Sequence, residues 1–454
     1  MSSSRAVEKM RAAGLSEAAI AAFERRLAQV EAGASGLVLS DELTPLDDVP
    51  DASTFPDAID RDALDRAVNI KLNGGLGTSM GVTGPKSLLE AKDGQTFLDL
   101  IARQTLALRS RHGVRLPLVL MNSFATSEQS LAALARHPGI EADVPLEFLQ
   151  NRQPKLRADD LEPVEWPADP QLEWCPPGHG DFYTALLGSG MLEKLLSRGY
   201  RYAFVSNSDN LGAVLDPRLL TWFAAEEAPF MMEAIIGTEA ERKGGHIARR
   251  RSDGRIILRE IAQTPPEEAE SFRDFRRWRY YNSNTLWLDL EALSRELDAS
   301  GGALDLPVIV NRKTVDPRDP GPPEVLQLET AMGAAIGLFE GARVVCVPRA
   351  RFAPVKTTDD LLLLRSDAYG VTEDALVEAV APVLAYVELD PRHYKTVAAF
   401  ENRFPHGPPS LRDCRRFVVE GDVTFGSGVI ARGEVHVRAG SGPMTIPDGT
   451  LLVA

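Results

Sequence analysis

Four side chains stand in settings that suit chemistry on phosphate groups: Lys86, His179, Asp209 and Lys356. Lys86 ends the stretch Lys71-Leu72-Asn73-Gly74-Gly75-Leu76-Gly77-Thr78-Ser79-Met80-Gly81-Val82-Thr83-Gly84-Pro85-Lys86. Dense glycine lets backbone N–H groups approach an anion with no Cβ in the way. Pro85 fixes its own φ and biases Gly84 toward an extended shape, so Lys86 leaves the loop in one direction. Cys175-Pro176-Pro177-Gly178-His179-Gly180-Asp181 presents an imidazole at the tip of a stiffened loop. Asp209 follows the apolar run Phe204-Val205, and a carboxylate at a strand's carboxyl end opposite a phosphate loop is placed to hold Mg²⁺. Lys356, in Pro354-Val355-Lys356, is a proline-held cation within the basic segment 348–357 of an acidic chain.

The glycine loop matches neither familiar phosphate cradle. A P-loop needs Gly-Lys-Ser/Thr in succession, and Pro85 separates Gly84 from Lys86. The dinucleotide fingerprint Gly-x-Gly-x-x-Gly is off register, because Gly81 falls one place late after Gly75 and Gly77. A flexible surface linker is the plain alternative, but linkers seldom join dense glycine to apolar flanks and a Pro-Lys exit.

The loop needs a strand before it and a helix after it, and Ala67–Ile70 and Gly94–Leu108 read as these. Further strand candidates are Leu116–Met121, Ala203–Val205, Phe230–Ile236, Arg255–Gln263 and Val344–Val347. Helix candidates are Leu131–Arg136, Thr184–Arg198 and Thr330–Phe339. Alternation of this kind predicts an α/β sheet covered by helices, with ligands beyond the carboxyl ends of the strands. Pro163–Pro177 and Pro317–Pro323 read as loops. Residues 5–33 read as two amphipathic helices, with Gly14 stopping the first and Ser16 capping the second. Residues 34–62 read as an extended connector. Beyond about 367, a helical reading of Thr372–Tyr386 gives way to short strands punctuated by Gly and Pro-Asp-Gly. These suggest β-helix coils, with a small β-sandwich as the alternative. No charged cluster falls there, which assigns the tail to shape or assembly.

At 454 residues the chain is long enough for two or three domains. A net charge of −15 disfavours nucleic acid as a partner and requires any polyanion to bind where cations are gathered locally. Three widely spaced cysteines form no metal or disulfide framework, which fits a reducing cytoplasm. The N-terminus Met1-Ser2-Ser3-Ser4-Arg5 has no apolar core of signal-peptide length and no run reaches membrane-spanning length, so no membrane partner is expected.

Lys71 to Lys86 closely resembles the signature of the eukaryotic-type UTP–glucose-1-phosphate uridylyltransferases (UDP-glucose pyrophosphorylases). The likeness runs collinearly from about 60 to 454 through Pro176-Pro177-Gly178-His179-Gly180, Asn207-Ser208-Asp209-Asn210-Leu211-Gly212 and Pro354-Val355-Lys356. It implies an α/β, Rossmann-like nucleotidyltransferase (GT-A-like) domain with a mixed sheet at 63–366. N-terminal helices and connector would occupy 1–62, and a left-handed β-helix-like domain 367–454. It implies that Leu72, Asn73, Gly74, Gly75, Gln150 and Gly178 meet the uracil, and that Lys86, Lys356 and Asp209 meet the phosphates, Asp209 also holding Mg²⁺. His179 and Lys356 would hold the sugar phosphate. Asn207, Gly245, Glu260, Asn282, Ser283 and Asn284 would surround the sugar, and such groups suit hydroxyls that both donate and accept. Tyr281 stands where Phe is usual and Thr285 where Asn is usual, while Asn151 and Gln153 depart from Ser and Tyr beside Gln150.

The implied reaction is UTP plus glucose 1-phosphate giving UDP-glucose and pyrophosphate. Its obstacle is bringing two anions together, which costs roughly 4 kcal/mol per pair of unit charges about 4 Å apart at an effective dielectric near 20. Positive charge from Lys86, Lys356 and the His179 imidazole is expected to offset this. A broader UDP-sugar pyrophosphorylase, an oxidoreductase reading a cofactor through the glycine loop, and a silent sugar-nucleotide-binding protein are the other readings. Some relatives assemble through the C-terminal β-helix. This chain stops soon after Pro447-Asp448-Gly449, so that assembly is not carried over, and contact between copies through the tail stays open.

Overall fold

The computed structural model describes residues 2–33, 36–316, 321, 323–440 and 442–453. Helices α1 (Ser2–Ala12) and α2 (Glu17–Glu31) form as read, and the Ser16 hydroxyl accepts the Ala19 N–H at the start of α2. The central ten-stranded sheet comprises β1 (Leu43–Pro45), β2 (Ala67–Asn73), β3 (Leu118–Asn122), β4 (Glu147–Leu149), β5 (Tyr202–Asn207), β6 (Phe230–Ile236), β7 (His246–Arg250), β8 (Ile256–Arg259), β9 (Tyr280–Asp289) and β10 (Arg343–Cys346). The main path runs β10-β6-β9-β5-β2-β3-β4. The four strands β5, β2, β3 and β4 are mutually parallel, so their carboxyl ends form one rim. The first half of β9 also meets β7, which carries β8 and β1.

Strand β2 is buried along nearly its whole length because both sheet faces are covered. Val68 and Ile70 enter one core layer with Met121, Ala203 and Val205. Ala67 enters the opposite layer with Phe204, Met231 and Trp287. Helix α3 (Phe97–His112) follows the glycine loop, opened by a reciprocal Thr96–Asp99 cap and closed by Gly113 at φ 62°. Helices α1 and α2 pack on a small antiparallel sheet of 156–157, 309–314 and 324–329 through Phe23, Leu27, Leu156 and Leu328. Most of the proline-rich stretch 317–323 lies outside the described residues.

Several expectations are corrected. The connector 34–62 contributes β1 at the edge of the sheet, with Pro45 where a missing N–H is tolerated. The helix expected over Thr184–Arg198 is two helices, α4 (Asp181–Gly188) and Met191–Ser197, parted by Gly190 at φ 72°. Thr330–Phe339 is an extended segment leading into a 3₁₀ helix over Met332–Gly337. Thr372–Tyr386 contains no helix: Tyr369–Val371 and Val377–Ala379 form an antiparallel ribbon around Ala375 at φ 61°. The β-branched residues there (Val371, Thr372, Val377, Val380, Val383) favour extended backbone over helix.

In the tail, β11 (Tyr386–Leu389), β12 (Ser410–Glu420), β14 (Ile430–Arg438) and β16 (Leu451–Val453) pair in parallel, as do β13 (Val423–Phe425) and β15 (Met444–Ile446). A sandwich would need antiparallel neighbours. The tail shares one core with α3 and β3: Phe417, Phe425 and Leu411 belong to the same cluster as Leu98, Ile101 and Leu120. Among the described residues, no helix is long and apolar enough to cross a membrane.

Phe425 is fully buried, with its ring 4.9 Å from that of Phe404 and 5.7 Å from that of Phe417. Phe425→Ala is expected to lower unfolding stability by about 3–5 kcal/mol. Because the core is shared, urea unfolding followed by fluorescence and by far-UV circular dichroism should show one coincident transition rather than early loss of the tail.

Candidate active site

The rim of β5, β2, β3 and β4 gathers most of the residues singled out above. After β2 the glycine loop makes a closed excursion: Lys86 donates its N–H to the Gly75 carbonyl at 3.2 Å, and Leu76 bridges Pro85. Gly81 holds φ 71°, and a Cβ there would stand 2.9 Å from Thr396 of the tail. The Asn73 side chain is spent inside the protein, donating to Asn122 Oδ1 at 2.7 Å and Ser130 Oγ at 2.9 Å. Only backbone from Leu72 to Gly75 is therefore left for a ligand. Gln150, two strands away, lies directly against Gly74, where a Cβ would come within 2.3 Å of its Oε1. The next residue fixes its position, since Asn151 donates its N–H (2.6 Å) and its Nδ2 (2.9 Å) to the Asp181 carboxylate. Burial raises that carboxyl to about 6.

The Pro-Pro-Gly-His-Gly turn is clamped to the segment 329–332. Thr330 donates to the Pro177 carbonyl at 3.0 Å and Gly180 donates to the Thr330 carbonyl at 2.8 Å. At Gly178, φ is 80° and a Cβ would meet the Thr330 carbonyl oxygen at 2.6 Å, so glycine is required. His179 Nδ1 accepts the Met332 N–H at 3.0 Å, which leaves the proton on Nε2. The ring is open to solvent on one side, yet the protein packed around it disfavours the charged form and holds its pKa down to about 4. This favours a neutral imidazole that donates from Nε2 over the positive charge expected from the motif.

Lys86, Asp209 and the loop that carries Lys356 meet. Lys86 Nζ lies 2.7 Å from Asp209 Oδ2. Val355 donates to the Asp209 carbonyl at 3.0 Å, so Lys356 follows one residue after a direct contact with that loop. Asn210 ties the two loops together, donating to the Arg351 carbonyl at 3.0 Å and accepting the Ala353 N–H at 3.0 Å. The Lys356 side chain is exposed, while its N–H is held by Asp360 Oδ2 at 2.8 Å. Among the described residues no group of three His, Cys, Asp or Glu could hold a metal by itself. Asp209 Oδ1, however, is buried without a hydrogen-bond partner, a donor that suits a cation completing its shell with phosphate oxygens and water.

The third cluster lies on β7–β9. Gly245 allows the Glu260 carboxylate to approach, since a Cβ would fall 2.6 Å from it. Burial raises the Glu260 pKa, and the nearby Lys356 ammonium acts against that rise. Asn282 donates its N–H to the Gly245 carbonyl at 2.9 Å, and its side-chain nitrogen would lie 3.2 Å from a Cβ on Gly333, next to the residue that holds His179. Strand β9 bulges here: Thr285 faces Glu233 but Asn282 faces Ala234, with Asn284 at φ 57°. Asn284 Nδ2 thereby reaches Asn207 Oδ1 at 3.1 Å. Ser283 points the other way, donating its hydroxyl to the Glu233 carbonyl at 2.7 Å, so its side chain does not join the cleft. Tyr281 and Thr285, the two departures from the resemblance, are both buried.

A family model described as UTP–glucose-1-phosphate uridylyltransferase matches residues 22–432. The enzyme of that name from Solanum tuberosum is 41% identical over 418 residues, covering 91% of this chain and 84% of that protein. The one from Saccharomyces cerevisiae is 38% identical over 403 residues, covering 86% and 77%. Among solved structures, a point mutant of UDP-glucose pyrophosphorylase from Leishmania major in complex with UDP-glucose aligns with a TM-score of 0.92 at 43% identity, covering 100% of this chain and 98% of that one. Open and closed structures of the Leishmania major enzyme align with a TM-score of 0.93 at the same identity and coverage.

His246, beside Gly245, is fully buried and stacked on Trp278 at 4.5 Å, with neither ring nitrogen hydrogen-bonded. Burial, then Arg259 and Arg277, push its pKa down to about 3. Between that value and the ordinary 6.5 the unfolded chain binds a proton that the folded chain does not, so stability falls as pH falls through this window. His246→Phe removes this contribution. Its stability relative to the parent should rise by up to about 1.4 kcal/mol per pH unit below pH 6.5, measured by urea unfolding at several pH values.

Proposed function

Because the chain belongs to the UTP–glucose-1-phosphate uridylyltransferase family, we propose that its cleft joins UTP and glucose 1-phosphate to give UDP-glucose and pyrophosphate. An oxygen of the sugar phosphate attacks the α-phosphorus of UTP in line. The bond from that phosphorus to the bridging oxygen of the β-phosphate breaks, and pyrophosphate leaves. The sugar phosphate is already ionised, so neither a general base nor a covalent intermediate is needed. Catalysis is positioning plus charge neutralisation.

The observation that carries this reading is the meeting of Lys86, Asp209 and the Lys356 loop at one rim, opposite the Gly74–Gln150 contact. Backbone of Leu72–Gly75, Gln150 and Gly178 reads the uracil. Lys86 takes the polyphosphate, while Lys356 and the His179 Nε2–H hold the sugar phosphate. Asn207, Gly245, Glu260, Asn282 and Asn284 surround the hexose, and Ser283 contributes backbone only. Asp209 would hold Mg²⁺ through Oδ1, supplying further neutralisation of the polyphosphate. Tyr281 and Thr285 are buried rather than exposed, which favours glucose over the broader UDP-sugar reading. We read the chain as three parts, 1–62, 63–366 and 367–454, with the tail coiled as a left-handed β-helix. The three buried, unpaired cysteines suit a reducing cytoplasm.

Lys356→Ala should reduce pyrophosphate release from UTP plus glucose 1-phosphate by about 10²–10³-fold with the fold intact. Turnover within a few-fold of the parent would refute its role. Asp209→Asn should raise the Mg²⁺ concentration needed for half-maximal rate, and equal rates with galactose 1-phosphate would overturn the glucose assignment.

A further inference from the structure

Strand β6 reads Phe-Met-Met-Glu-Ala-Ile-Ile, and its one charged residue, Glu233, is fully buried. Its carboxylate is nonetheless satisfied. Trp287 Nε1 donates to Oε1 at 2.9 Å, and Arg351 forms a two-pronged fork, Nη2 to Oε1 at 2.7 Å and Nε to Oε2 at 2.8 Å. Arg351 Nη2 also donates to the Val214 carbonyl at 2.8 Å.

Both partners lie between parts of the site. Glu233 is the residue at which the β6–β9 register shifts, and its carbonyl holds Ser283, so it sets the bulge that aims Asn282 and Asn284. Arg351 stands five positions before Lys356 in the sequence, and its carbonyl takes the Asn210 amide that joins this loop to Asp209. The loop sits tightly on its neighbour, for a Cβ on Gly212 would fall 2.2 Å from the Ala350 carbonyl oxygen. A buried ion pair gains little stability, since desolvating both charges offsets their attraction. What a two-pronged fork does provide is one fixed geometry.

We propose that the Glu233–Arg351 pair is a positioning device for the reaction, locking the Lys356 loop to the sugar-side bulge so that turnover depends on it while nucleotide binding does not. This rests on the uridylyl-transfer reading. The test is Glu233→Gln, which keeps the shape and the Trp287 bond but removes the charge. The kcat should fall about 10–100-fold while KM for UTP changes less than about threefold, the pattern of an interaction realised at the transition state. A merely structural role is separated by repeating the change on Lys356→Ala. If the pair acts through Lys356, the second substitution should cost less than about threefold more. A kcat within twofold of the parent, or a full multiplicative cost on Lys356→Ala, overturns the proposal. Should Glu233→Gln not fold, Arg351→Lys, which keeps the charge and loses the fork, is read by the same two criteria. A parent that releases no pyrophosphate would overturn the reaction itself, whereas an active parent with an equally active Glu233→Gln overturns only the positioning role.

Discussion

Two phosphorylated reactants must meet on a protein that itself carries a net charge of −15. The whole-molecule field opposes the encounter, so cations must be local, few and aimed. The parallel strands β5, β2 and β3 meet that constraint by ending side by side. The glycine excursion leaves from β2, the Asp209 loop from β5 and the Gln150 segment from the neighbouring β4. Lys356 arrives from a distant part of the chain and is stitched to the Asp209 loop by Asn210 and Val355. Backbone hydrogen bonds and an internal amide therefore set where the positive charge stands, and the long lysine side chains need only span the last few ångströms.

The same economy explains why so many polar groups at the rim face inward. Asn73 holds Asn122 and Ser130, and Lys71 is buried with its ammonium donating to Ser206 Oγ at 2.6 Å and the Ala213 carbonyl at 2.7 Å. Burial lowers the Lys71 pKa to about 7, with the Arg351 guanidinium adding to the effect and Glu233 opposing it. The Lys71 side chain thereby braces both ends of the loop that bears Asp209, at Ser206 and at Ala213.

Much of the site is legible in the sequence because its motifs are local: Gly74-Gly75, Pro-Pro-Gly-His-Gly and Asn-Ser-Asp-Asn each place backbone and side chain within a few residues. The apolar run of β6 marks that strand over its full span. The partners of these motifs are not legible. Nothing in the spacing joins Glu233 to Arg351, 118 positions apart, or His179 to Met332, 153 positions apart. The protonation of His179 escapes the sequence because a motif gives a residue's type but not the protein packed around it. The lone glutamate in an apolar strand is the one available signal of the buried pair. The helix expected near 372–386 fails because β-branched residues and tertiary pairing outweigh a weak helical pattern.

The close approach of Gly81 to Thr396 gives the tail a mechanical part in the cleft. Met80 lies in the core shared with the tail, so the glycine excursion is backed by a wall rather than by solvent. An outward swing of that excursion would have to carry the helix at 397–401 with it, or slide along it. The compliance of the glycine excursion is thus set partly by how stiffly the stack of strands behind it is built, so substitutions in that stack can act on the excursion without altering its own residues.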